Sequence, residues 1–337
     1  MRPDGGISSS SDPGPPRPVD IVYVVGAHKS GGTILGSLVG SAPGVFYAGE
    51  LYRFPTPIFD PGGLDRGCSC GETLGSCPFW SEVHRAARAD PEFLRELRRG
   101  QERFEQWRRA PATLWALVRR NPELTAHSER MFRFAGMFGR QANATTVIDS
   151  SFSPLRGWLY RRGVQRVHRV RYLHLVRDGR GFLASELAIA EDPEAPRWVR
   201  GSWVVVARWV GYHTLALLLR LRGDEQYLRI RYEDLVLDPD RTLRRIENYL
   251  GIDLSDARKR LSLNEGVPMR HVVAGNRVRL AGEVRIRREL ARPKELPRSV
   301  SVLFWSVAGW LALALGYRPS GGPPPSDSVR APSGPGA

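Results

Sequence analysis

Apolar residues in this chain recur at two spacings. Val19 to Gly26 (VDIVYVVG) is a short β-branched run ending in glycine, and Thr145 to Ser150, Val170 to Arg177 and Tyr227 to Tyr232 are runs of the same kind. Such runs predict strands of a sheet covered on both faces. Between them the apolar positions recur every three or four residues with charges interspersed, which predicts helices. These cover TILGSLVG after the first run, Pro91 to Arg109, Ser128 to Gln141, Gly179 to Glu191, Arg197 to Leu221 and Pro239 to Leu250. Strands alternating with helices predict an α/β fold, three layers around a mainly parallel sheet, with ligands beyond the carboxyl ends of the strands.

Val300 to Tyr317 is uncharged throughout and bounded by Arg298 and Arg318. As a helix it would just reach across a hydrocarbon core of roughly 30 Å, so it is either a helix packed into the core, the reading its Ser and Gly residues favour, or a membrane anchor. Residues 1–18 and 319–337, rich in Pro, Gly and Ser, are expected to be a disordered leader and tail around one domain over 19–318. The leader has no secretory pattern. The three cysteines, Cys68, Cys70 and Cys77, share one short stretch and do not form a disulfide framework. Both features lead to the expectation of a cytoplasmic protein.

Lys and Arg number 50 against 35 Asp and Glu, a net charge of +15. The excess favours an anionic partner. Without aromatics interleaved in a basic stripe, nucleic acid is not expected.

The loop after the first predicted strand reads Gly26-Ala-His-Lys29-Ser30-Gly31-Gly32-Thr33. It lies between a buried strand and a helix amino terminus, where backbone N–H groups favour a phosphate. Against the nucleotide-hydrolase pattern G-x-x-x-x-G-K-[ST], Gly32 stands in the lysine slot and the lysine has moved to position 29, which weighs against triphosphate chemistry. Further on, Arg177-Asp178-Gly179-Arg180 leaves a strand, with Ser185 in the next helix. A charged fork and a hydroxyl there can meet on a second phosphate.

In these two motifs the chain resembles the sulfotransferases that use 3′-phosphoadenosine 5′-phosphosulfate (PAPS), related to carbohydrate and tyrosylprotein sulfotransferases and to bacterial members. Their loop has the form [RK]-S-G-[TS]-[TS], and Gly32 departs from it. The resemblance implies the P-loop nucleotide-kinase-like sulfotransferase fold and direct transfer to an acceptor hydroxyl without a required metal. It implies that Lys29, Ser30, Gly31, Gly32 and Thr33 hold the 5′ side of the donor, with Lys29 also catalytic, and that Arg177 and Ser185 hold its 3′ phosphate. Tyr232, in the Tyr-Glu-Asp-Leu stretch, would lie against the adenine, and Arg277, with Arg279 second, would close a basic loop over the phosphates.

Transfer to a hydroxyl calls for a base. Glu50, in a Gly-Glu pair like that of the family, is the candidate, its plain alternative being a partner for Arg53. His28 either lines the loop or serves the chemistry, whereas His174, in an apolar strand, reads as core. Asp149-Ser150-Ser151 matches a family segment usually followed by Lys, but Phe152 follows here. That leaves it at the cofactor rim or in packing. The region of about 85–141 would form a helical acceptor-side lid. The Cys68-x-Cys70 and Cys77 stretch resembles a bacterial insert. It is a reduced or redox-sensitive loop, or a zinc site with His84 as fourth ligand, although its spacing is not a usual zinc pattern. An ATP-dependent kinase of the same fold and a basic membrane-associated protein with a degenerate nucleotide site remain the competing readings.

Overall fold

The computed structural model describes residues 19–54, 63–163, 169–190, 201–221, 226–275, 277–288 and 296–319. The expected leader and nearly all of the expected tail lie outside them. A sheet of five parallel strands forms the centre: β1 (Asp20–Gly26), β2 (Val45–Tyr47), β3 (Thr146–Phe152), β4 (Val170–Val176) and β5 (Tyr227–Arg231), in the spatial order β2-β3-β1-β4-β5. The four longer strands are the four apolar runs. The three residues of β2 are too few to display a period.

Helix α1 (Gly32–Val39) follows β1 directly. The connection from β2 to β3 holds α2 (Pro78–Arg88), α3 (Pro91–Phe104), α4 (Ala110–Val118) and α5 (Pro122–Gln141). Next, α6 (Pro154–Arg162) leads to β4, and α7 (Gly179–Ala190) and α8 (Ser202–Arg220) lead to β5. Beyond β5 come α9 (Tyr232–Leu237), α10 (Pro239–Leu250), α11 (Ser255–Ser262), the antiparallel pair β6 (Val267–Pro268) and β7 (Glu283–Val284), and α12 (Arg298–Ala314). Asp90, Asn121, Ser153 and Asp238 each cap a helix amino terminus with the side chain, and each precedes a proline at the first helical position. Asn121 explains why α5 starts at Pro122, six residues before its clear apolar period. The helix expected to run to Arg109 stops at Phe104, because the next residue, Glu105, turns inward.

Along β1 the side chains alternate between faces. Ile21, Tyr23 and Val25 pack with Phe134 and Phe138 of α5 and Leu159 and Tyr160 of α6. Val22 and Val24 pack with Leu35 and Leu38 of α1 and Leu243 and Ile246 of α10. A third cluster joins Phe182 of α7, Val205 and Trp209 of α8, and Phe304, Ala308 and Leu311 of α12. One face of the apolar segment over 300–317 is therefore core, while Val302, Val307, Trp310 and Leu313 are exposed. Among the described residues, α8 has the length and composition to cross a membrane, with a mean hydropathy of 1.3, yet its Val205, Trp209 and His213 are buried.

Two polar clusters lie wholly inside. Arg156 of α6 is fully buried; its Nε donates to Asp149 Oδ2 of β3 at 2.9 Å and its Nη1 to both oxygens of Glu105 at 2.9 and 2.7 Å. Tyr160 donates to Asp149 Oδ2 at 2.9 Å, and His127 Nε2 of α5 lies 2.8 Å from Glu105 Oε1. Burial alone would raise the Glu105 carboxyl, but Arg156 and His127 outweigh it and hold it below the usual carboxylate range. The second cluster is the fully buried pair His174 Nε2 and His213 Nδ1, 2.8 Å apart. Burial pushes His213 down to about 3, and burial with His213 and Arg229 nearby pushes His174 well below the ordinary value.

Arg156→Leu leaves two carboxylates inside without their cation and should destabilise the fold by about 3–5 kcal/mol. Arg85→Ala, at an exposed ion pair with Glu82, should stay close to wild type; urea unfolding of both variants measures the contrast. Below pH 6.5, the ordinary histidine value, the unfolded chain takes up protons that the folded His174 and His213 refuse. Stability should therefore fall as the pH drops from 6.5 toward 3, by up to about 1.4 kcal/mol per pH unit for each histidine. A melting temperature that stays flat from pH 7 to pH 4 would contradict this.

Candidate active site

The strand order reverses direction between β1 and β4, and the loops leaving these two strands face each other across that point. After β1 the chain turns through Lys29, at φ 62°, and Gly31, at φ 96°, into α1, whose capping residue Gly31 offers no side chain. The first N–H groups of α1 are thus open to an anion. A methyl group on Gly31 would meet the Tyr232 ring at 2.4 Å, and one on Gly32 the Phe152 ring at 2.3 Å. The two departures from the family pattern are therefore one structural fact: Phe152 fills the space that a side chain at position 32 would need. The Ser30 side chain is buried, and among the described residues its Oγ finds no partner.

After β4, Arg177 reaches back to this loop. Its Nη1 donates to the Lys29 carbonyl at 2.8 Å and its guanidinium lies 4.8 Å from the centre of the Tyr232 ring. Ser185, two turns into α7, donates to the Gly181 carbonyl at 2.8 Å. The turn between them is held from below. Asp178 pairs with Arg180 at 2.6 Å, the Asp178 N–H donates to Glu233 Oε1 at 3.0 Å, and Glu233 Oε2 accepts from Tyr317 at 2.8 Å. Burial raises the Glu233 carboxyl, partly offset by these donors. The sequence places Glu233 in the Tyr-Glu-Asp-Leu stretch and Tyr317 at the end of the apolar segment, and nothing in either neighbourhood names a partner 84 residues away.

These loops border a cavity of about 1230 Å³. Lys29, Gly31, Gly32, Thr33, Glu50, Arg177, Ser185 and Tyr232 all line it. Ser30 does not, and the side chain of Arg277 lies outside the described residues, although its neighbours Gly275 and Val278 line the wall. The cavity wall also includes Arg53, Arg108, Glu186 and Arg208, giving five cations against two carboxylates. Arg208 pairs with Glu186 at 3.0 Å. A lone Arg inside the apolar run SWVVVARWVGY was the signal for it in the sequence. Gln106, Trp107 and Arg108, immediately after the buried Glu105, carry the expected lid region to the cavity, with Trp107 against Tyr212 at 4.9 Å.

Glu50 accepts from Arg53 Nε, so the ion-pair alternative is real, and both residues face the cavity. Its backbone is fixed by the Asp149-Ser150-Ser151 segment. Leu51 N donates to Asp149 Oδ1 at 3.2 Å, Tyr52 N to Ser151 Oγ at 3.0 Å, and Tyr47 shares a hydrogen bond of 2.8 Å with Ser150. That segment is buried and packs behind the site instead of lining it. Burial, then Arg53 and Arg208, push His28 down to about 4. It lines the cavity as a neutral imidazole at pH 7. His174 sits in the core. Cys68, Cys70 and Cys77 do converge, but with His271 in place of His84.

The family model for the sulfotransferase family matches residues 86–256, half of the chain, including Arg177, Ser185 and Tyr232 but beginning after the Lys29 loop. Among solved structures, the sulfotransferase domain from the curacin biosynthetic pathway is 18% identical, covers 88% of this chain and 98% of its own, and aligns with a TM-score of 0.52, which shows the shared fold. The sulfotransferase domain of the Synechococcus PCC 7002 olefin synthase is 21% identical over 89% of this chain and 97% of its own, with a TM-score of 0.49. A sulfotransferase from Mycobacterium tuberculosis H37Rv is 16% identical over 72% and 70%, with a TM-score of 0.46. No curated protein matches. With half of its length matched by the family model and its fold shared with such a domain, the chain belongs to the sulfotransferase family.

Proposed function

We propose that this protein transfers the sulfuryl group of PAPS to the hydroxyl of an acceptor. The observation that carries the reading is the meeting of the Lys29 loop and the Arg177–Ser185 turn on one cationic cavity, at the carboxyl ends of adjacent parallel strands. The residues suit a donor with two separate phosphates. One end finds the uncapped start of α1 and the Lys29 ammonium, the other the Arg177 fork and the Ser185 hydroxyl. Among the described residues the guanidinium of Arg177 spends one N–H on the Lys29 carbonyl, out of five. The ring of Tyr232 stiffens both sites, lying against Gly31 and beneath Arg177. Arg277 would complete the closure from the basic loop.

Bound PAPS supplies a sulfuryl group on a stabilised phosphate leaving group. As the acceptor oxygen bonds to sulfur and the bond to the bridging phosphate oxygen breaks in line, Lys29 neutralises the charge left on that oxygen. Glu50 takes the acceptor proton. Asp149 and Ser151 hold the Glu50 segment from behind, which fixes where the proton is received. Helices α2 to α5 form the acceptor-side lid, touching the cavity through residues 106–108.

Calorimetric titration with adenosine 3′,5′-bisphosphate, against 5′-AMP, ADP and ATP, tests the reading. Binding should require the 3′ phosphate and weaken about 10- to 100-fold in Arg177→Ala, the loss expected of a charge-assisted fork. A preference for ATP, or no binding by the folded protein, would sink it. Gly32→Ser alone should be overpacked against Phe152 and lose about 1–3 kcal/mol of stability. Gly32→Ser with Phe152→Ala should recover most of that, and simple additivity of the two losses in melting experiments would refute the coupling.

A further inference from the structure

Cys68, Cys70, Cys77 and His271 present four ligand atoms, all within 4.8 Å of one another. The Sγ atoms of Cys70 and Cys77 are 3.7 Å apart and those of Cys77 and Cys68 3.9 Å; His271 Nδ1 lies 3.2 Å from Cys77 Sγ and 3.9 Å from Cys68 Sγ. A tetrahedral zinc ion with Zn–S of about 2.3 Å and Zn–N of about 2.05 Å sets its sulfurs about 3.8 Å apart and sulfur and nitrogen about 3.5 Å apart. Four of the six separations already stand near those edges, and the other two lie within 4.8 Å. A disulfide would need two sulfurs at about 2.05 Å and would leave a third thiol over.

We propose that these four side chains form a structural zinc site that clamps residues 271–275 over the phosphate loop. The donor set, three soft thiolates and an imidazole, is one that selects zinc in a closed tetrahedral site. The thiols bind as thiolates and give their protons to solvent. Around the cluster the backbone is already tied. Cys68 N donates to Glu72 O at 2.8 Å in a tight turn, Ser69 N to Val272 O at 3.0 Å, and Val272 N to Ser69 Oγ at 2.8 Å. The imidazole of His271 is oriented by stacking on Phe79, with ring centres 5.0 Å apart and planes at 8°, and its carbonyl accepts from Trp80 Nε1 at 2.9 Å. His271 itself has φ 49°, a left-handed backbone that few non-glycine residues adopt.

The clamp acts at the cavity through two close approaches. A methyl group on Gly275 would meet Thr33 Oγ1 at 2.7 Å, and one on Gly49 the Ala274 carbonyl at 2.8 Å. The segment thus lies on both the phosphate loop and the turn that carries Glu50. The sequence hides the site because its fourth ligand is 194 residues from Cys77, in the basic loop.

The full chain, purified under reducing conditions from zinc-replete medium, is assayed for metal by mass spectrometry of the digested protein and for cobalt replacement by absorption. About one zinc per chain, and a thiolate-to-cobalt charge-transfer band on exchange, are expected, with zinc falling below about 0.2 per chain in His271→Ala. Cys70→Ser, which alters the exposed ligand and should leave the fold intact, should weaken retention against a chelator by at least about tenfold. Chelation of wild type should also shift the fluorescence of Trp80, measured against Trp80→Phe. Less than about 0.2 zinc in wild type with no cobalt band, or zinc that is unchanged in both ligand variants, would overturn the proposal. These readouts are independent of sulfuryl transfer, so a protein that binds zinc but not the bisphosphate would refute the proposed donor and leave the clamp standing.

Discussion

A guanidinium buried away from bulk solvent dictates what must surround it, and Arg156 is fully buried. Its two carboxylates come from elements far apart in the chain, Asp149 in the middle of β3 and Glu105 just beyond α3. Neither the cation nor either anion is tolerable inside alone, so the three must assemble together. Through them the helices of the long β2–β3 connection are registered on the sheet. Asp149 holds Leu51, next to Glu50, while Glu105 is followed at once by Gln106, Trp107 and Arg108 at the cavity. Glu50 and the cavity-lining residues 106–108 are thus positioned by a cluster whose own side chains do not line the cavity.

The opposite side of the cavity is built by a different means. The Tyr232 ring contacts both Gly31 and the Arg177 guanidinium, and Arg177 in turn donates to the Lys29 carbonyl, so ring, cation and backbone turn fix one another. Beneath it Glu233 joins the Asp178 turn to Tyr317, and Arg231 lies 4.7 Å from the centre of the Tyr317 ring. The carboxyl-terminal segment with α12 therefore buttresses the turn expected to hold the 3′ phosphate. Packing on α8 and fastening through Tyr317 account for why one apolar face of α12 is core.

The pairing of Gly32 with Phe152 illustrates how a motif can drift without losing its geometry. Judged one at a time, a missing hydroxyl at 32 and a missing lysine at 152 both look like erosion of the family pattern. In space they are a hole and its filling, and the aromatic ring also meets His28 at 5.6 Å. The loop keeps its backbone turn because shape there is enforced by contact on both sides, Tyr232 on one glycine and Phe152 on the next.

The sequence by itself determined what depends on neighbours along the chain. Buried β-branched runs, proline-led helix starts and the order of the Lys29 and Arg177 motifs all arise from local sterics, capping and periodicity, and these were legible at Val22 and Val24, at Asp238-Pro239 and at Gly31. Tertiary structure alone decided which distant groups share one desolvated space. It set Asp149 behind the site with Arg156, brought His271 and not His84 to the cysteines, and turned Arg208 of an apolar helix toward the cavity. The reason is physical: a buried charge or an orphaned donor must find its partner wherever the folded chain brings one, and spacing along the sequence carries no record of that distance.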